Sequence, residues 1–405
     1  MMKKSWMKRA GLALAAVLTA GAVWGTGYAP GIQAAGSAFS DVKAGHWAES
    51  SIAKGVSKGY VDGYTNGTFK PDASVTRAEF VKMVVSAMKL ETKEASGKWY
   101  VPYVDAASAE SLYDSADFAN NESAWNKVMT REEMSRIAAR AVGETTKEND
   151  KWMYLATKNG LIKGVGKNQL APEGLTTRAQ AVVLIERILS KNAGQNLSVD
   201  RYAVGAAEIL WHGTNIFTVM PEVWVTPDSD VRTSGKQSIE DMWNEKNMTI
   251  TSRDGLYQGK LDALIAIDLA DPNDPNRSLL GDINTLKWFN NRPSVTNLMV
   301  KPEKNSYVLY FKGRQVFNKD IKKYTKGLFV TFNITGINNP DSKSFYNGKL
   351  NQTASVYRKV DGDMPAIIVP KTGWAQSGNL RILLNTPAGN GIYSESVLLK
   401  LRGIQ

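Results

Sequence analysis

Three sets of apolar residues recur in the first half of the chain at helical spacing: Phe80, Met83, Val84 and Met88; Met134, Ile137, Ala138 and Val142; Val183, Ile185 and Leu189. Each set predicts one amphipathic helix. Ahead of each stands a threonine with an acid or amide three positions on: Thr76 with Glu79, Thr130 with Glu133, Thr177 with Gln180. That spacing is a capping box, so all three mark helix starts. The residue after the threonine is arginine each time, as Arg77, Arg131 and Arg178. A cation in the first helical turn opposes the helix dipole by about 0.3 to 1 kcal/mol. Its recurrence beside an anion-attracting helix start points to a negatively charged ligand.

Further matches make this a repeat. Gly59 and Gly63 lie 18 and 14 residues before Arg77, and Gly160 and Gly164 lie at the same distances before Arg178. Pro71 and Pro172 each precede their arginine by six. The glycines permit the turns and close backbone approach of a loop between two helices. In the middle copy, Tyr103-Val104-Asp105 reads as the counterpart of Phe39-Ser40-Asp41. No glycine or proline lies between Tyr103 and Arg131, which predicts a shortened loop rebuilt around Phe118 and Trp125.

Phe39-Ser40-Asp41-Val42, His46-Trp47-Ala48, the glycine-rich loop ending at Phe69 and Pro71, and Val75-Thr76-Arg77-Ala78-Glu79 together resemble the S-layer homology family. The resemblance implies three tandem modules, at 38–92, 98–144 (degenerate) and 148–192, assembled as a pseudo-threefold helical domain. It implies binding of secondary cell wall polysaccharide, commonly carrying pyruvate ketals, on Gram-positive bacteria, and admits self-association in a surface layer. Candidate contacts are Arg77, Arg131 and Arg178 for acidic groups, Trp47 for stacking on a sugar ring, Asp41 for sugar hydroxyls, and Gly63, Gly67 and Gly164 for close backbone approach.

From about residue 197 the pattern changes. After a helix from Tyr202 to Trp211, short strand-like runs follow: Phe217–Val225, Met248–Thr251, Asp262–Asp268, Val295–Val300, Tyr307–Phe311, Leu328–Ile334, Ser355–Tyr357, Ala366–Val369, Leu380–Leu384 and Val397–Leu401. Separated by Gly, Pro, Asn and Asp, they predict a mainly-β, sandwich-like domain over 197–405. One helix is expected there, from Gln237 to Lys246. The fold class is therefore multi-domain, helical and then β.

A length of 405 residues fits such a division. Lys3, Lys4, Lys8 and Arg9 precede an apolar run from Ala10 to Trp24 and small residues at Ala34-Ala35, the pattern of a secretory leader over residues 1–34. Its four basic residues and no acid reduce the formal charge from +11 to +7 (11 − 4) after cleavage. That mild balance fits a polyanionic wall or nucleic acid equally well. Nucleic acid is not the expected partner, because it would also need a basic groove with aromatic interleaving. No membrane is expected as a partner after cleavage. Zero cysteines exclude disulfides and thiol catalysis.

Catalytic chemistry finds little to work with, and no cofactor or metal site is expected. His46 and His212 are the only histidines, and neither lies in a ligand-spaced motif. Asp268, Asp271 and Asp274 could collect oxygen ligands but read better as a turn. The expected function is non-covalent anchoring of an exported, non-enzymatic protein to the cell wall. The alternative is a wall-anchored enzyme acting on polysaccharide through paired carboxylates in the second half.

Overall fold

The computed structural model describes residues 39–94, 97–166, 169–324, 329–387 and 394–403. The expected leader lies outside them. In the helical half a short helix, a loop and a capped helix alternate: α1 (Glu49–Ser57) and α2 (Arg77–Ala87); α3 (Val101–Ala109), one-turn α4 (Glu122–Trp125) and α5 (Arg131–Ala141); α6 (Lys151–Lys158) and α7 (Arg178–Asn192). All three capping boxes form. The amides of Glu79, Glu133 and Gln180 donate to the hydroxyls of Thr76, Thr130 and Thr177, and the Thr amides donate back to the Glu or Gln side chains. The apolar stripes of α2, α5 and α7, including Phe80, Val84, Met134, Ile137, Val182 and Ile185, share one core.

The segments leading into these three helices are joined in a closed ring. Val75 N donates to Thr176 O (3.0 Å), Thr176 N to Met129 O (2.9 Å), and Met129 N to Val75 O (2.9 Å). Each residue stands two positions before an arginine. A second ring surrounds the first: Arg77 N donates to Lys127 O, Arg131 N to Gly174 O, and Arg178 N to Ala73 O, at 2.8–3.0 Å. The first amide of each capped helix is thereby satisfied by a neighbouring repeat rather than left open to a ligand.

The middle repeat departs from expectation in register. Tyr103-Val104-Asp105 lies inside α3, so it is not the equivalent of Phe39-Ser40-Asp41. Gly97-Lys98-Trp99-Tyr100 leads into α3 as Gly45-His46-Trp47-Ala48 leads into α1, with left-handed glycines (φ 99° and 81°) heading both. From the residue preceding the first helix, the arginine follows after 29 residues (48 to 77), 31 (100 to 131) and 28 (150 to 178). The middle loop is thus the longest. Tyr113, Phe118 and Trp125 pack as a trio with centroids 4.7–4.9 Å apart, replacing the glycine turns by aromatic packing.

Helix α8 (Arg201–His212) joins the two halves. Ala203, Val204, Ala207 and Trp211 pack in the core of the repeats, while Ile209 packs on the β half. Next come α9 (Ile216–Val219) and α10 (Asp228–Thr233). The run Phe217–Val225 is therefore helix and turn, not strand. The fully buried Glu208 carboxylate accepts from Phe217 N (3.1 Å) and Thr218 N (2.9 Å), fixing α9 at its first turn. The helix expected over Gln237–Lys246 is replaced by two 3₁₀ turns, Glu240–Met242 and Glu245–Met248.

The β half contains β1 (Thr249–Thr251), β2 (Tyr257–Asp268), β3 (Lys287–Trp288), β4 (Ser306–Asn318), β5 (Thr331–Asn338), α11 (Ser342–Tyr346), β6 (Ala354–Tyr357), β7 (Ala366–Pro370), β8 (Ala375–Asn385) and β9 (Glu395–Leu401). They form two antiparallel sheets, ordered β1-β2-β4-β7-β6-β3 and β5-β8-β9. Strand alternation divides the larger sheet between two cores. Leu264, Ala266, Leu309 and Phe311 meet Ile382 and Leu384 of the smaller sheet, whereas Ile265, Ile267, Val308 and Ile368 meet Trp288 and Phe345 on the opposite side. Val295–Val300 is irregular, paired only through the Lys287–Met299 bridge.

Candidate functional site

The three arginines reach across the clefts between repeats. Arg178 Nε donates to Phe69 O (2.9 Å) and its Nη2 to Asp62 O (2.9 Å), both in the first repeat's loop. Arg131 makes the same two contacts with the third repeat's loop, from Nε to Leu170 O (2.8 Å) and from Nη2 to Lys163 O (3.0 Å). These acceptors are equivalent: Asp62 and Lys163 lie 15 residues before their own arginine, Phe69 and Leu170 eight before. Arg77 differs. Its Nε donates to Glu133 Oε2 (3.0 Å), its Nη2 pairs with Glu133 Oε1, and its Nη1 donates to Ala124 O (3.0 Å). The Phe118 ring lies 4.2 Å from the guanidinium carbon.

These contacts revise the expectation that all three guanidinium groups are open to ligand. Arg131 is 6% exposed, and burial followed by the charge of Arg187 lowers its pKa. Arg77 is closed by a carboxylate. Arg178 remains partly exposed, and among the described residues its Nη1 has no hydrogen-bond partner.

Around Arg178 lie residues that the sequence reading did not single out. Tyr64, 41% exposed, has Lys70 Nζ 4.2 Å and the Arg178 guanidinium carbon 5.1 Å from its ring centre. Lys70 adopts a left-handed backbone (φ 56°), a conformation disfavoured for a residue with a Cβ and held here by neighbouring contacts. The equivalent positions in the third repeat are Val165 and Ala171, which carry neither ring nor charge. Comparison of the two loops position by position is the signal that could have found this pair.

Asp41 fixes Lys70. Its two oxygens accept from Phe69 N and Lys70 N, each at 2.7 Å. Burial opposes its ionisation, but the two amides and then the Lys70 charge prevail and lower the pKa. The carboxylate is thus engaged in shaping the loop. Gly63 is required by packing, since a Cβ there would sit 2.0 Å from Phe39 Cε1. Gly67 takes φ 74° and its carbonyl accepts from Ser40 N (3.0 Å). The Gly164 amide donates to Asp200 Oδ2 (3.1 Å), the N-cap of α8. Trp47 is 62% exposed beside His46, and its counterpart Trp99, 49% exposed, has Lys82 Nζ 5.8 Å from its ring.

In the β half, Asp268, Asp271 and Asp274 border a cavity of about 190 Å³ beneath Arg201 and Tyr202 of α8. Asp274 accepts from Asp268 N and Asn276 N, Asp271 from Tyr202 OH and Asn273 N, and Asp268 from Ala270 N and Lys371 Nζ. Among the described residues no three His, Asp or Glu side chains are placed to hold a metal ion. His212 is buried and stacks on Trp211 with centroids 4.1 Å apart.

The S-layer homology domain family matches residues 38–81 and 148–182. An exoglucanase of Acetivibrio thermocellus is 30% identical over 196 residues, covering 41% of this chain and 18% of that protein. An amylopullulanase of Thermoanaerobacterium thermosulfurigenes is 32% identical over 181 residues, covering 38% and 10%. The S-layer protein sap of Bacillus anthracis is 28% identical over 198 residues, covering 43% and 24%. The chain spans less than a quarter of the length of each of these relatives. The shared family and the S-layer relatives support a place at the cell surface. No described helix is long and apolar enough to cross a membrane.

Proposed function

We propose that this protein is exported, loses its leader, and is held non-covalently on a Gram-positive cell wall by its S-layer homology repeats, which bind an acidic, pyruvylated secondary wall polymer. The two closed hydrogen-bond rings support a pseudo-threefold domain over residues 38–192, one module per repeat. The observation that carries the ligand assignment is the convergence of Lys70 and Arg178 on the exposed Tyr64 ring. Two cations gathered over one partly exposed aromatic ring match a sugar bearing a carboxylate, with charge-assisted hydrogen bonds to the acid and the sugar lying against the exposed part of Tyr64. Arg77 and Arg131 act as clasps between repeats, while Asp41 and the loop glycines position Lys70 and Tyr64.

A single cleft of this kind binds weakly by itself. Linked clefts in a self-associated layer raise the effective concentration and make attachment durable. In this reading residues 197–405 are the displayed, non-catalytic module of such a layer.

Co-sedimentation with purified walls tests the assignment. Lys70→Ala with Arg178→Ala removes two charged contacts, each worth about 1.5 to 3 kcal/mol. Binding is expected to fall at least about a hundredfold, and walls stripped of pyruvate should fail to hold the unaltered protein. Undiminished attachment in both assays refutes it.

A further inference from the structure

We propose that Glu133 is a built-in stand-in for the acidic ligand, holding the cleft between the first and second repeats closed. The proposal rests on the reading of the Arg178 cleft as a carboxylate-binding site. Its own support is the break in an otherwise repeated pattern. Arg178 and Arg131 direct Nε and Nη2 to backbone carbonyls at matching positions. Arg77 directs the same two nitrogens to the two oxygens of one carboxylate, in the side-on bidentate mode by which a guanidinium takes a ligand acid.

Glu133 stands two residues after Arg131, where the other repeats have Glu79 and Gln180. All three serve their capping boxes. Among the described residues, only Glu133 also meets an arginine of another repeat. The capping role does not need the charge, since Gln180 performs it with an amide. The negative charge of Glu133 is therefore not required by the cap hydrogen bond and is directed at Arg77. The pair stays within reach of solvent, with 12% and 15% of the two side chains exposed, and Phe118 covers a face of the guanidinium rather than its carboxylate-binding edge.

Removing that charge while keeping the cap should convert the first cleft into a second site. The test is calorimetric titration of the full chain with a methyl hexoside carrying a 4,6-pyruvate ketal. The unaltered protein should bind one equivalent, Arg77→Ala one, Glu133→Gln two, and Glu133→Gln with Arg178→Ala one. A measurement on the unaltered protein keeps the question open to test should Glu133→Gln fold poorly: the ketal should shift the Nε–H resonance of Arg178 and leave that of Arg77 in place. One equivalent for folded Glu133→Gln, loss of binding in Arg77→Ala, or a ligand-induced shift at Arg77 would each overturn the proposal. No binding by the unaltered protein would instead defeat the reading of the Arg178 cleft.

Discussion

The Asn215 carboxamide and the Ala266 peptide exchange two hydrogen bonds, Ala266 N to Oδ1 at 2.7 Å and Nδ2 to Ala266 O at 3.1 Å. The side chain thus completes the edge of β2 as a neighbouring strand would. Leu264 N donates to Gly213 O just beside it (2.8 Å), so the turn after α8 is fastened to the sheet. Asn215→Ala leaves two buried backbone groups without partners, which costs about 1 to 3 kcal/mol each. A lower thermal midpoint and faster hydrogen exchange at the Ala266 amide are expected.

Acid should loosen the joint between the halves. Glu240 accepts from Lys158 Nζ (2.6 Å) and Tyr154 OH (2.8 Å) of α6, beside the Lys151–Asp241 ion pair. Burial opposes ionisation of Glu240, yet the Lys158 charge and hydrogen bonds outweigh it and bring the pKa from 4.5 to about 2. A depressed carboxylate pKa contributes stability that is present above the ordinary value and lost as pH falls through the folded one. The contribution is at most about 3 kcal/mol, reduced by screening at half-exposed Lys158. Between pH 4.5 and 2 the unaltered protein should lose stability more steeply than Glu240→Gln, as read from acid unfolding curves.

Gly63→Ala should strain the first repeat, because the new methyl meets the Phe39 ring. Overpacking of this kind costs about 1 to 3 kcal/mol. Asp62 O, one residue away, holds Arg178, so wall attachment should weaken along with thermal stability. Unchanged stability would show that Phe39 moves aside freely.

Tyr64 can be separated into ring and hydroxyl. Cation–π contacts are worth about 0.5 to 1 kcal/mol each at exposed sites. Tyr64→Ala should reduce affinity for walls about fivefold, whereas Tyr64→Phe should keep it. Equal loss in both would assign the contact to the hydroxyl.

Local signals were legible and long-range ones were not. The capping boxes at Thr76, Thr130 and Thr177 announced three helices because each is complete within four residues. The destinations of the arginines were hidden, since Arg178 meets Phe69 from 109 positions away and Arg77 meets Glu133 from 56. The run Phe217–Val225 reads as a strand until the buried Glu208 carboxylate gathers its amides into a turn. In the middle repeat, Gly97-Lys98-Trp99-Tyr100 was overlooked because Tyr103-Val104-Asp105 offered a competing and false alignment. Most strands of the sandwich were visible because alternation and turn residues bound them locally.

Val75 and Thr176 are separated by 101 residues (176 − 75), yet each needs the other for its backbone bond. A partial circle therefore leaves open ends on whichever modules have already emerged. During synthesis, the earlier repeats must wait for the last before their edges are satisfied. Closure of the circle is then a single late event, and under the proposed function a chain stalled short of residue 176 would lack the frame on which the Arg178 cleft depends.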